Sequence, residues 1–271
     1  MFASRNSRPA FRAFVASVGL LSAITGAQAA INGFGDFSGF SYNHTDSATP
    51  PAISPGKIDL TGTTGREVRT LFYSTPQNVS SFTASFTYQL LNHRDTYAGN
   101  DGFGAAFVLE NAAAGPNAIG DANAMGTYGL SGIGSSAAVT LESYDNFGVN
   151  GSNSGYYTNG NVTGGSPSTA PVFPLSGDPI NVVISFDGSK LTESMVDTVT
   201  LASYRTTILA NPLTAVGGTT AYVGFTAVTN GNAYGDQYFS NFTFGPLSVP
   251  EPSSAAFAAT ASGLLGLRRR R

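Results

Sequence analysis

Within the 271-residue chain, Ala138-Val139-Thr140-Leu141-Glu142-Ser143-Tyr144-Asp145-Asn146 is the segment whose residue types and spacing come closest to a ligand set. Alternate residues of a strand share a face, so Thr140, Glu142 and Tyr144 point one way while Val139, Leu141 and Ser143 point the other. With Asn146 at the strand end, this aligns a carboxylate, a backbone carbonyl and an amide oxygen, all hard donors of the kind calcium prefers. Asn150 and Asn153 follow as neutral oxygen donors. Catalysis fits the same residues poorly. Glu142 and Asp145 are an odd number of positions apart and face opposite sides, which does not make an acid and nucleophile pair for glycoside hydrolysis. No G-x-S-x-G elbow and no H-E-x-x-H occur. His93-Arg94-Asp95 followed by Asn100 has the spacing of a kinase catalytic loop, but no Gly-rich nucleotide loop precedes it, and it reads as a polar loop between strands. The expectation is a protein that is not an enzyme.

The elements that would position these residues are strands. Phe82, Ala84, Phe86, Tyr88 and Leu90 alternate with Thr83, Ser85, Thr87 and Gln89, the pattern of a half-buried strand. Phe103, Ala105, Phe107 and Leu109 repeat it, as do Val182, Ile184 and Phe186, and then Phe242 and Phe244 around Thr243. No amphipathic helix stands out in the body. The connections over 111–126 and 150–174 are long and rich in Gly, Asn, Ser and Pro. Many short alternating strands joined in this way predict an all-β fold, an antiparallel sandwich or jelly roll.

Charge and composition narrow the partners. Lys and Arg number 13 against 16 Asp and Glu, and Arg5, Arg8, Arg12 and Arg268 to Arg271 lie at the two ends. The body between them is acidic, which argues against a nucleic-acid partner. Zero Cys excludes disulfides, thiolate metal sites and a thiol nucleophile. Residues 1–29 run from basic residues through the apolar stretch Phe14 to Ile24 to Ala27-Gln28-Ala29, the form of an export signal cleaved after Ala29. At the other end, Pro250-Glu251-Pro252 precedes a short apolar run, Ala255 to Leu267, and then four arginines. That run is short of the roughly 20 apolar residues of a permanent transmembrane helix. The order resembles the PEP-CTERM sorting tail of Gram-negative bacteria, which implies processing by an integral membrane exosortase and a place at the cell surface, outer envelope or extracellular matrix. The expected layout is therefore a signal peptide (1–29), a sandwich domain (30–248) and a sorting tail with a short transmembrane helix (249–271).

Four segments occur in a suggestive order: Asp101-Gly102-Phe103-Gly104-Ala105-Ala106-Phe107-Val108-Leu109, Gly126-Thr127-Tyr128-Gly129-Leu130, the 138–146 segment, and Tyr222-Val223-Gly224-Phe225-Thr226-Ala227-Val228-Thr229 running on to Phe244. Ile184-Ser185-Phe186-Asp187-Gly188 adds a strand and turn. Together they resemble the legume-type (L-type) lectin family over most of 31–245, and the resemblance implies a concanavalin A-like sandwich that binds carbohydrate, here exopolysaccharide, without chemistry. It further implies that Asp101 accepts sugar hydroxyls, that the Gly126 turn offers a backbone N–H, and that Asn146 binds sugar and calcium together; an aromatic face packs on sugar C–H groups, and Tyr144 is the aromatic expected to do so. Glu142, the Tyr144 carbonyl and Asn146 would hold the calcium. The sequence departs from the family where a Glu is replaced by Thr140, where an Asp is replaced by Glu142, and where no His follows. Calcium bound weakly, and no manganese, is the expectation. Asp101-Gly102 is also what a strand-initiating turn requires, and Tyr144 and Asn146 are also ordinary strand-end residues. The alternative to a lectin is a structural matrix or envelope protein that kept the sandwich without sugar binding.

Overall fold

A period-two sequence can bury one face of each strand only by stacking sheets, and a computed structural model shows two of them. It describes residues 30–45, 53–54, 56–95, 103–121, 123–124, 126–143 and 152–247. The expected leader (1–29) and the expected sorting tail, including Pro250, Glu251 and Pro252, lie outside these residues. Among those described, no helix is long and apolar enough to cross a membrane.

The strands are β1 (Ile31–Asn32), β2 (Phe40–His44), β3 (Ile53–Ser54), β4 (Lys57–Asp59), β5 (Val68–Tyr73), β6 (Gln77–Asn78), β7 (Phe82–Asp95), β8 (Gly104–Glu110) and β9 (Ser136–Glu142). They continue with β10 (Tyr156–Thr158), β11 (Ile180–Phe186), β12 (Leu191–Asp197), β13 (Ser203–Ile208), β14 (Thr220–Val228) and β15 (Ala233–Pro246). The back sheet has the order β13-β12-β11-β7-β15-β4-β3, with β1 also on β15. The front sheet has the order β10-β9-β8-β14-β5-β2, with β6 on β14. All pairings are antiparallel.

Back-sheet strands alternate as expected: Ile180, Val182, Ile184 and Phe186 face the core while Asn181 and Val183 are exposed. Between the sheets an aromatic cluster centres on Phe225, 4.4 Å from Phe239 and edge-on to Phe86 and Phe242 at 4.9 Å. The front sheet differs, because β8 and β9 are buried on both faces. Ala137, Val139 and Leu141 join the inter-sheet core, whereas Ala138, Ala106 and Val108 pack outward under Ala118, Leu130, Ile133 and Tyr157. The long 111–135 and 152–169 connections therefore roof this sheet.

His93-Arg94-Asp95 is not a loop. β15 continues far enough to pair Tyr234 with Arg94 and Ala233 with Asp95, so strand geometry extends into polar sequence beyond the core. One short helix, α1 (Pro212–Val216), also went unannounced. It carries end signals but spans too few residues for a helical period: the Asn211 side chain accepts from Leu213 N, and Gly217 closes it at φ 73°.

Candidate functional site

Register brings the candidate segments to one end of the front sheet. Glu142 pairs with Gly104, Gly104 with Val228, and Val228 with Val68. At about 4.8 Å per strand, the ends of β9 and β14 lie about 10 Å apart. Gly104 is required there, because a Cβ would meet the Leu141 carbonyl and lie 3.3 Å from Glu142 Cα. Asp101, Tyr144 and Asn146 lie outside the described residues. Their attachment points are neighbours: Ser143 N donates to Phe103 O at 3.2 Å, so the segments carrying Asp101 and Tyr144 spring from adjacent strand ends.

Gly126 is buried, and its turn is pinned over the same sheet end. Thr226 Oγ1 on β14 donates to Tyr128 O at 2.7 Å, and the Tyr128 ring packs with Val68 and Val228. Gly126, Tyr128 and Gly129 all have left-handed backbone (φ 83°, 52° and 73°), a conformation glycine adopts without steric cost. The third wall is the β14–β15 connection, where Thr229 Oγ1 donates to Thr64 O at 2.7 Å.

Glu142 ends β9 at 1% exposure. Its Oε1 accepts from Thr140 Oγ1 at 2.7 Å and from Ser166 Oγ. With the Ser166 proton so used, Tyr157 Oη, 2.7 Å away, donates to Ser166. Thr140 Oγ1 in turn accepts from Gly155 N at 2.9 Å. Asn153 exchanges backbone hydrogen bonds with Glu142 (2.9 and 3.3 Å), which puts the two side chains on one face. Asn153 is 1% exposed, and both its amide oxygen and nitrogen are buried without a partner. The next residue, Ser154, faces inward and donates to Glu193 on β12, with its Oγ 2.9 and 2.7 Å from the two carboxylate oxygens. Burial pushes the Glu193 carboxyl up to about 7; the Ser154 hydrogen bond opposes the rise and the nearby Glu142 charge adds to it.

A buried amide without partners is costly unless something binds it. Beside Glu142, the Asn153 oxygen is a hard donor of the type calcium takes, so the donor set fits that ion. The described residues place no further ligand beside it of the kind a transition metal takes. Thr140 is engaged with Glu142 and Gly155, His44 stacks on Tyr42 at 5.5 Å, and His93 is on the other sheet. Among the described residues no three His, Cys, Asp or Glu side chains gather.

No family model and no curated protein matches the chain. Solved structures do. Lectin II from Ulex europaeus is similar at TM-score 0.62 and 17% identity over 81% of this chain and 98% of that one. The chain has the legume-lectin fold. Arcelin-5, a lectin-like defense protein from Phaseolus vulgaris, matches this fold at TM-score 0.62 and 14% identity over 82% and 99% of the two chains. Lectin I from Ulex europaeus, in complex with the methyl glycoside of α-L-fucose, matches at 0.60 and 17% over 80% and 96%.

Within this legume-lectin sandwich, Glu193, Ser154 and Ser166 were not anticipated. Glu193 had a signal: it occupies the inward phase between Leu191 and Met195, where a carboxylate on an alternating strand demands a partner. Ser154 and Ser166 had none, since their roles depend on how the 152–169 connection folds back.

Proposed function

We propose that this is a non-catalytic carbohydrate-binding protein of the cell surface or exopolysaccharide matrix, exported and sorted through its C-terminal tail. The observation that carries the reading is the convergence, at one end of a legume-lectin sandwich, of the Gly126 turn, the Glu142–Asn153 corner and the adjacent roots of the 101 and 144 segments. Gly126 would offer a backbone N–H, Asp101 and Asn146 would satisfy hydroxyls, and the Tyr144 face would pack on sugar C–H groups. Glu142, Asn153, the Tyr144 carbonyl and Asn146 would hold a calcium ion, which supplies charge and fixes the 144–151 segment. The low count of anionic ligands makes that binding weak.

The full chain on a glycan and bacterial-polysaccharide array, in calcium and then in chelator, tests this. Binding that is lost with chelator and with Asp101→Ala is expected. Silence on every sugar in both conditions overturns the lectin reading in favour of a structural envelope protein.

A further inference from the structure

Both ends of the domain leave at one pole, and the candidate site is at the other. Across the back sheet, Pro246, Phe82, Phe186, Leu191 and Ile208 form one row of paired residues. Leu247 follows this row, donating to Ser81 O, and Ile31 pairs with Phe244 one step inside it. A Cβ on Gly245 would lie 3.1 Å from Ala30 Cβ, so residues 30 and 245 are in contact. The other ends of β7 and β15, Asp95 and Ala233, carry the 96–102 and 229–232 segments of the candidate site. Since β7 has 14 residues, the two poles are about 40 Å apart at roughly 3.3 Å per residue.

Leu209 is 90% exposed at the terminal pole, directly after Ile208, and the neighbouring 187–190 turn holds one Asp and one Lys. Val199 and Leu201, in the turn at the other end of β12, are exposed as well, so the poles are told apart by where the chain ends leave. Seven residues, 248–254, separate Leu247 from the apolar run that begins at Ala255, a reach of no more than about 29 Å. Pro250 and Pro252 lie within that stretch and stiffen it.

We infer that the pole bearing Leu209, the 187–190 turn and Leu247 faces the bilayer that holds the C-terminal apolar segment, and that the candidate site is presented at the tip farthest from the membrane. This rests on the reading of 249–271 as a membrane-engaging tail. Ala30 lies beside Gly245, so the N-terminal end of the domain leaves at the same pole as the tail. A ligand presented this way is polysaccharide outside the membrane rather than a glycolipid headgroup within it.

The chain has no Cys, so a single dye can be placed by Leu209→Cys or by Thr63→Cys, on the exposed turn beside the 229–232 connection. Each full-length variant is bound to vesicles of phosphatidylethanolamine and phosphatidylglycerol containing a headgroup-labelled acceptor lipid. Energy transfer several-fold greater from position 209 than from position 63 is expected. Equal or reversed transfer from vesicle-bound protein overturns the orientation alone. Failure of both full-length variants to float with vesicles overturns the tail reading and the orientation with it.

Discussion

Glu193 shares the buried face of β12 with Leu191, Met195 and, at the strand end, Asp197, and its burial strengthens its hold on a proton. With its carboxyl raised to about 7 in the folded state and near 4.5 when ordinary, the native protein holds a proton the unfolded chain has lost between those values. Stability associated with this group is therefore present at low pH and declines as pH rises from about 4.5 through 7. Glu110, raised to about 7 by burial and only partly relieved by Ala112 N, acts in the same direction. Glu193→Gln isolates the first effect. Urea unfolding in chelator should show wild type losing stability from pH 5 to pH 8, and the variant more stable than wild type at pH 8 by about 3 kcal/mol, the order set by the distance from about 4.5 to about 7. A variant less stable than wild type at pH 8 refutes the protonated buried carboxyl.

Strands were legible where one face is wet and hidden where neither is. β7, β11 and β15 alternate because the back sheet's outer face meets solvent. Thr140 and Glu142 read equally as an outward polar face, and they do share it, but the 152–169 connection covers them with hydroxyls drawn from residues no local period could relate to β9. The same gap left His93 to Asp95 in a loop, since nothing local says how far β15 will run. Between β8 and β9 the register depends on Gly104. Adding a methyl there drives a Cβ into the Leu141 carbonyl, which backbone cannot vacate without separating the strands. Gly104→Ala should destabilise the protein by about 2 kcal/mol or more, as strain at a special backbone position does, measured as a fall in thermal midpoint. Gly134→Ala, whose added Cβ meets nothing within 4 Å, serves as the control and should remain within about 0.5 kcal/mol of wild type.

At the scale of the whole molecule, the two sheets depend on pairings far apart in sequence. Phe82 lies opposite Pro246, and β15 sits between β7 and β4 while also receiving β1. A chain ending at residue 232 retains the front-sheet strands and lacks the strand that joins the back sheet. It should show no cooperative unfolding transition and be digested at protease levels that leave the complete domain intact.

The placement of β15 also sets an order of events. A chain made from its N-terminus has β7 ready long before the partner of its second edge, and the aromatic side chains of both strands, Phe86 and Phe239 among them, meet only when the last strand arrives. Until then a long edge with an apolar face waits unpaired, the condition under which chains associate wrongly. Closure through such distant contacts is slow. The newly made protein thus passes through a prolonged interval in which it is pliable, and in which a holding chaperone has a well-defined strand to protect.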